Sequence, residues 1–472
     1  MRIINEIRPK HDGDTMNDIL KKTIDLMMKN GAEFCDARSQ TIRSIAIQSL
    51  NGDIRHLNQE RSGGVCLRAW KSGRWGYSTI SSFDRNELKE AAERAVRNAS
   101  GMKKSGLKIE PKIIKDKCRQ NVKIHPDDVD LSEKIAAVLD VGKAQELENV
   151  VNRIGSYSEE IKKNTFLNSS GSEIEWDEVR TRFRAMSVAS DGMGIERYYD
   201  GPDGTTGFEL VKNTDIEALG RDTAKESVLL LKAERAPSGL LTVITDPMMS
   251  GLLAHEVMGH ASEADEVIKK RSFLSEVCGK KVASQVISMF DDGTVKGAHG
   301  SIPYDDEGTR SSKTQIIKDG VYTGYMHNLE TASFMNTEPT GNGRSENFGK
   351  RVWARMTNTY FGPGDRTLDE MIQDTKYGIL CDKMVNGMED PVGGGFEAKS
   401  LRGFLIENGR ITKMLTSFTL TGRALEILQT TDMASREMIL DGGMCGKGIE
   451  DWVNVSSGGP YCRSKIIIGG GI

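Results

Sequence analysis

Residues 248–260 read MMSGLLAHEVMGH, an apolar run that ends on two histidines with a glutamate directly after the first. A zinc-protease helix places two histidines at i and i+4, so that both imidazoles leave the same face. Here His255 and His260 stand at i and i+5. At 3.6 residues per turn that is about 500° of rotation, which leaves the two rings roughly 140° apart on a regular helix. One inserted residue, a π-bulge, brings them back to one side. Gly259, just before the second histidine, is the residue best suited to permit the distortion. The spacing therefore predicts a bulged helix that binds metal through His255 and His260.

Glu256 is placed as general base. A zinc-bound water has its pKa lowered to about 7, and an adjacent carboxylate can take its proton as it attacks a carbonyl. That chemistry needs an open coordination position, so the chain should supply three ligands. Glu263 and Asp265 follow closely and are candidates either to bind metal or to orient the imidazoles. Seven cysteines, at 35, 66, 118, 278, 381, 445 and 462, lack CxxC spacing. One of them is a further candidate ligand, and their spacing does not say which.

Outward from this stretch, LLTVITD (240–246) reads as a short buried strand, and APSG (236–239) before it marks a boundary near residue 235. Downstream, QIIKDGVYTGYMHN and GFLIENGRITKMLTSF each hold an Asp-Gly or Asn-Gly turn between strand-forming residues. The 50 glycines cluster as GPGD, VGGGF, DGGMCGKG and IIIGGG, which suits tight β connections. Upstream, MNDILKKTIDLMMKNG has helical spacing and closes on Gly31. CDARSQT reads as a strand, and RSIAIQSL and DIRHLNQ read as a hairpin turned by Asn51-Gly52. GGVCLRAW and RWGYSTI form a second hairpin at Ser72-Gly73, and Asp84 caps a helix over 84–99. A lysine-rich linker (101–125), a helix near 131–149, two alternating strands and a helix over 214–234 complete this half. The fold class is α+β: an N-terminal helix-and-hairpin domain (1–235), then a β-rich domain (236–472) that carries the metal helix.

Size and charge bound the function. The 472 residues suit two domains, and 37% hydrophobic with 28% charged residues is a globular composition. The 64 basic and 68 acidic residues leave a net charge of −4, which does not suggest nucleic acid as the main partner. The N-terminus, MRIINEIRPKHDGDTMNDIL, shows no apolar core of a signal peptide, and no run of 18 apolar residues suggests a membrane span. The expectation is a cytoplasmic protein with reduced thiols.

HEVMGHASEAD (255–265) resembles the HExxxHxxExD signature of the TldD/PmbA peptidases, also called modulators of DNA gyrase. The resemblance continues in DDEGT (305–309), PTGNGR (339–344), RMTNTY (355–360) and a late Cys-Gly-Lys (445–447), in order along most of 236–472. It is weaker in the N-terminal half, chiefly in GGVCLRAWKSGRWGYST. It implies zinc held by His255, His260 and Cys445, with Cys462, 17 residues on, as the competing thiol. It also implies a mainly antiparallel, barrel-like C-terminal domain. Members pair as dimers around the active site, so a homodimer or a heterodimer with a TldE/PmbA-type chain is expected. The implied reaction is zinc-dependent hydrolysis of unfolded or short peptides bound as an added strand.

Other residues have plainer readings beside functional ones. Arg355 and Asn358 could contact substrate or satisfy local backbone. Asp305, Asp306 and Glu307 read as a turn ending at Gly308 rather than a calcium site. His299 and His327 read as solvent or structural histidines, and the lysine-rich patch near 103–117 as a solvated segment. Two other functions compete with the peptidase. A non-catalytic, zinc-containing peptide-binding subunit of a larger protease complex would not need Glu256. A DNA-associated regulator is opposed by the acidic balance and by the lack of a DNA-reading motif.

Overall fold

The computed structural model of the protein describes residues 15–100, 107–390, 392–447 and 451–469. The polar stretch before residue 15 and the first part of the lysine-rich segment lie outside the described residues, as do 448–450. The fold is mixed α+β, built on two large sheets.

The first sheet has eight strands and is antiparallel except for Lys115–Cys118, which runs parallel to Glu173–Ser190. Its central strands are long. CDARSQT and RSIAIQSL form a single strand, Phe34–Leu50, which pairs with Asp53–Lys71 through a turn at Asn51 (φ 53°) and Gly52 (φ 92°). These positive φ angles are those of the hairpin turn that Asn-Gly favours. The second hairpin turns at Ser72 and Gly73, also with positive φ. One face of the sheet is covered by helices. Met16–Lys29 starts from a capping box between Thr15 and Asp18 and lays Leu20, Ile24 and Met27 against Val65 and Leu67. Arg85–Asn98, capped by Asp84 as expected, packs beside it. Leu131–Lys143 ends six residues short of the expected helix, and Ile216–Leu230 covers the far end with it.

The other face carries polar groups toward the C-terminal half. Arg180 Nε and Nη2 donate to the carbonyls of His299 (2.8 Å) and Ser301 (2.9 Å), and Asn454 Nδ2 donates to Glu160 (2.8 Å). Arg68, fully buried, holds Asp36 of the same sheet and Glu307 of the C-terminal half (2.6 Å). The 305–309 segment is the expected turn, with Gly308 at φ 73° and Asp305 accepting from the backbone N–H of Glu307 and Thr309. Asp306 and Glu307 nevertheless serve the interface, since Asp306 pairs with Arg38.

The second sheet has eleven strands, and five of them close a barrel. Gly239–Thr245 lies parallel to Tyr377–Asp390, which pairs with Gly395–Glu407, then Thr419–Arg423, then Val453–Gly469. Val453–Gly469 returns antiparallel to Gly239–Thr245, placing Cys462 opposite Thr245. Closure removes the free edges that an open sheet would expose. Both Gly-containing hairpins form at their expected turns, Asp319-Gly320 and Asn408-Gly409. Among the described residues no helix is long and apolar enough to cross a membrane.

Candidate metal centre

The helix that leads into the site is fixed at its start. Asp246 caps it, accepting from Met249 N–H at 2.8 Å, and Pro247 occupies the first turn. Gly251 lies against the backbone of Ser457 and Gly458, where no Cβ would fit, so Pro247–Leu252 sits tight on the strand Val453–Gly469. The chain then widens into a π-helix over Leu253–Gly259, and His260 N–H donates to His255 C=O, five residues back. This is the distortion that the i, i+5 spacing demands. The part played by Gly259 differs from the expected one. Its φ of −64° is ordinary helix, so its freedom of φ is unused. Its value is lack of bulk, because an added Cβ would overlap Met356 Sδ and come within 3.2 Å of Ala254 O.

The bulge brings the two imidazoles together, with ring centroids 5.2 Å apart and planes at 84°. Cys445, at the end of strand Met433–Cys445, meets them, and its Sγ lies 3.3 Å from His260 Nε2. One ligand atom from each of His255, His260 and Cys445 lies within 4.8 Å of the others, so one ion could be shared by all three. His255 Nδ1 is buried without a hydrogen-bond partner, and such an orphan is unusual in a folded interior. The donor set, two imidazoles and a thiol, is one that zinc accepts. Burial alone would raise the Cys445 thiol, but the charges of His260 and His255 outweigh it and hold the thiol well below its ordinary value. Cys462 behaves in the opposite way: burial pushes its thiol up to about 12.

The outer partners of these ligands form one network. His260 Nδ1 faces Glu263 at 3.6 Å, an arrangement that fixes the ring with Nε2 toward Cys445. Burial would raise the Glu263 carboxyl, but Lys447, His260 and Arg355 keep it far below the usual carboxylate range. Lys447 Nζ spans Glu263 and Asp265, 2.8 Å from each, and so ties the turn after Cys445 to the segment after His260. Arg355, fully buried, donates through Nη2 to Cys445 O (2.8 Å) and to Cys445 Sγ (3.2 Å).

Glu263 and Arg355 are thus brought into contact with His260 and Cys445, and Asp265 joins them through Lys447. Asn358 is not. Its Nδ2 donates to Asp292 O (2.6 Å) and Ser301 Oγ (2.9 Å), and its Oδ1 accepts from Gly300 N–H, so it ties down a loop. His299 and His327 are both buried rather than solvated. Burial and the nearby Arg182 and Arg180 push His299 down to about 2, and burial pushes His327 down to about 4.

Glu256 faces the cluster with Oε2 3.8 Å from His260 Nε2. Burial raises its carboxyl to about 7 against the pull of His255 and His260, and a second carboxyl, that of Glu389, adds to the rise. Glu389 comes from the hairpin Tyr377–Asp390/Gly395–Glu407 and escaped the sequence reading, as did Lys447 as a strut. A lysine two residues after Cys445, with two carboxylates after the second histidine, was a signal for Lys447. Nothing comparable marks Glu389.

The fold and the His–His–Cys cluster form a candidate metal centre, and comparison with known proteins gives it a family. Residues 35–99, 124–231 and 238–469 match the models of domain 1, the central domain and the C-terminal domain of the PmbA/TldA metallopeptidases. A metalloprotease of Methanothermobacter thermautotrophicus is 34% identical over 463 residues, covering 98% of this chain and 99% of its own. A zinc metalloprotease TldD homolog of Saccharolobus solfataricus is 25% identical, covering 93% of this chain and 97% of its own. The crystal structure of TldE from Thermococcus kodakarensis shares the fold, with a TM-score of 0.77 at 20% identity, covering 95% of this chain and 100% of that one. The chain belongs to the PmbA/TldD metallopeptidase family.

Proposed function

We propose that the protein is a zinc-dependent peptidase that hydrolyses unfolded or short peptides held in extended form. The observation that carries this reading is the convergence of His255, His260 and Cys445 beside a carboxylate, Glu256, that is not needed to hold an ion. A purely structural zinc site has no use for that base, which is the argument against a non-catalytic binding subunit. The zinc named in the Saccharolobus relative supports the choice of metal.

Zinc in this site would be held by His255, His260 and Cys445, and when bound it supplies Lewis acidity toward water and the scissile carbonyl. Glu256 takes the proton of the attacking water and returns it to the departing amine. Its carboxyl, raised by burial, stands beside the cluster, where both transfers would take place. Glu263 holds the His260 ring, while Arg355 and Lys447 hold Cys445 and the segment after His260 in register. We take a chain of the TldE type as its partner, as the resemblance to the family implies, with a homodimer as the alternative. The free thiols of all seven cysteines support a cytoplasmic location. We also divide the chain into two units, 1–235 and 236–472.

The test is Glu256→Gln with zinc content measured alongside. Loss of peptide hydrolysis with zinc retained is the expected result. Undiminished hydrolysis would remove Glu256 as the base.

A further inference from the structure

Cys445 stands where its strand has least support. At 456–458, Val453–Gly469 lies between two strands, with Met433–Cys445 on one side and Asn358–Phe361 on the other. Toward Cys445, the pairs Gly443–Val455, Met444–Asn454 and Cys445–Val453 have no third strand beside them among the described residues. A two-stranded ribbon alone is marginal in water, so this end must be held from outside if the thiol is to meet His255 and His260 at a fixed distance. Arg355 holds Cys445 O, and Arg344 Nη2 donates to Asn454 O at 2.8 Å. Both of these come from the same half of the chain as Cys445.

A third hold comes from the first sheet. Arg184 lies on Glu173–Ser190, and Asp203 lies on the short strand Asp203–Gly204 that pairs with it. Arg184 Nη2 donates to Asp203 Oδ2 and also to Asp441 Oδ1, the latter at 2.9 Å. It thereby joins the first sheet to the strand of Cys445, four residues before the thiol. The next residue, Gly442, is pressed against the same carboxylate: an added Cβ would overlap Asp203 Oδ1 and lie 2.6 Å from His299 Cβ. Asp203 is itself fixed, because Thr205 N–H donates to Gly297 O at 3.1 Å and Gly204 lies against that carbonyl. On the opposite strand, Asn454 reaches Glu160 of the first sheet. The ribbon that ends in Cys445 is thus gripped on both of its strands.

The Arg184 contacts are poor stabilisers and good locators. The Asp203 side chain is 6% exposed and that of Arg184 17%. Burying such a pair costs about as much desolvation as the attraction returns, so apolar residues would stabilise the contact at least as well. What the pair adds is a single permitted arrangement, and glycine at 442 lets the strand approach until it is reached.

Resting on the metal centre described above, we propose that Arg184, Asp203 and Gly442 are positioning residues for Cys445. The first sheet sets how far the thiol stands from His255 and His260, and so sets metal affinity. The histidines are placed by the helix after Asp246, so loosening the clamp frees one ligand of three.

The experiment measures zinc affinity, by chelator competition on the full chain, for the wild type, Asp441→Asn, Arg184→Met, their double variant and Gly442→Ala. The clamp predicts a loss of about tenfold in each single variant, the lower end of what outer partners of a ligand contribute. The double variant should be no weaker than the weaker single one, since both changes cut the same link. Cobalt(II) in place of zinc gives a readout that general loosening would not move. At saturation, the thiolate-to-cobalt absorption per ion should fall in the variants while the ion stays on the histidines. Arg68→Met cuts a buried ion pair elsewhere between the halves; it should lower Tm yet keep zinc affinity within about twofold. Wild-type affinity in Asp441→Asn and Gly442→Ala, additive losses in the double variant, or an equal loss in Arg68→Met would overturn the assignment and leave the metal centre standing. A wild type that binds neither zinc nor cobalt would overturn the metal centre, and the assignment with it.

Discussion

Gly259→Ala tests whether the π-turn is packed into place. The residue is helical at φ −64°, so alanine is conformationally acceptable and would stabilise an ordinary helix by about 1 kcal/mol. Its Cβ, however, overlaps Met356 Sδ and comes within 3.3 Å of Met356 Cε and 3.2 Å of Ala254 O. Met356 is fully buried and has no open side to retreat to. Overpacking of this size costs about 1–3 kcal/mol, more than the helix propensity returns. In a domain of this size each kcal/mol lowers Tm by about 2–4 °C. Moving the turn also moves His260, so zinc affinity should fall together with Tm. Met356→Ala alone should cost about 2–5 kcal/mol by opening a cavity. In the double variant the new methyl group occupies that cavity, so the combined loss should be at least about 1 kcal/mol less than the sum. Thermal unfolding of the four proteins, with zinc titrations on each, reads both quantities. Additive losses, or a Gly259→Ala protein as stable and as zinc-avid as wild type, would refute the packing argument.

Three further outcomes follow from the same structure. Lys447→Met leaves Glu263 and Asp265 without their shared donor and should weaken zinc binding by about 10–100-fold in a chelator competition, with Lys447→Arg less affected. Arg68→Met strands the buried carboxylates of Asp36 and Glu307, and should cost about 3–5 kcal/mol in denaturant unfolding. Asp246 gives a pH dependence. Burial and the nearby Asp382 raise it from 3.8 to about 7, so the folded state holds its proton longer than the unfolded chain does. Stability should therefore fall as pH rises between these values, by up to about 4 kcal/mol. Asp246→Asn should flatten that slope in Tm measured from pH 5 to 8, and an unchanged slope would exclude Asp246 as its source.

Local features were legible in the sequence where a residue type has one physical solution. Asn51-Gly52, Ser72-Gly73, Asp319-Gly320 and Asn408-Gly409 all turn where expected, because few residues tolerate consecutive positive φ angles. The i, i+5 histidines required a π-turn, and one is present. Strand length was not legible: Phe34–Leu50 read as two strands because its alternation fades where helices and the C-terminal half cover both faces. Barrel closure depends on pairing Gly239–Thr245 with Val453–Gly469, more than 200 residues on, which no local pattern records. Cys445, 185 residues from His260, came from the family resemblance, since nothing in cysteine spacing selects it. Arg355 and Asn358 looked alike in RMTNTY, yet one grips the Cys445 thiol and the other a loop. Their difference lies in neighbours that are distant in sequence.

The most direct test of the metal centre is zinc per chain in the purified wild type, Cys445→Ala and Cys462→Ala. The expected result is about one zinc in the wild type and in Cys462→Ala and little in Cys445→Ala, since three protein ligands with one open position define such a site. Full zinc in Cys445→Ala, or none in the wild type after zinc loading, would contradict the account.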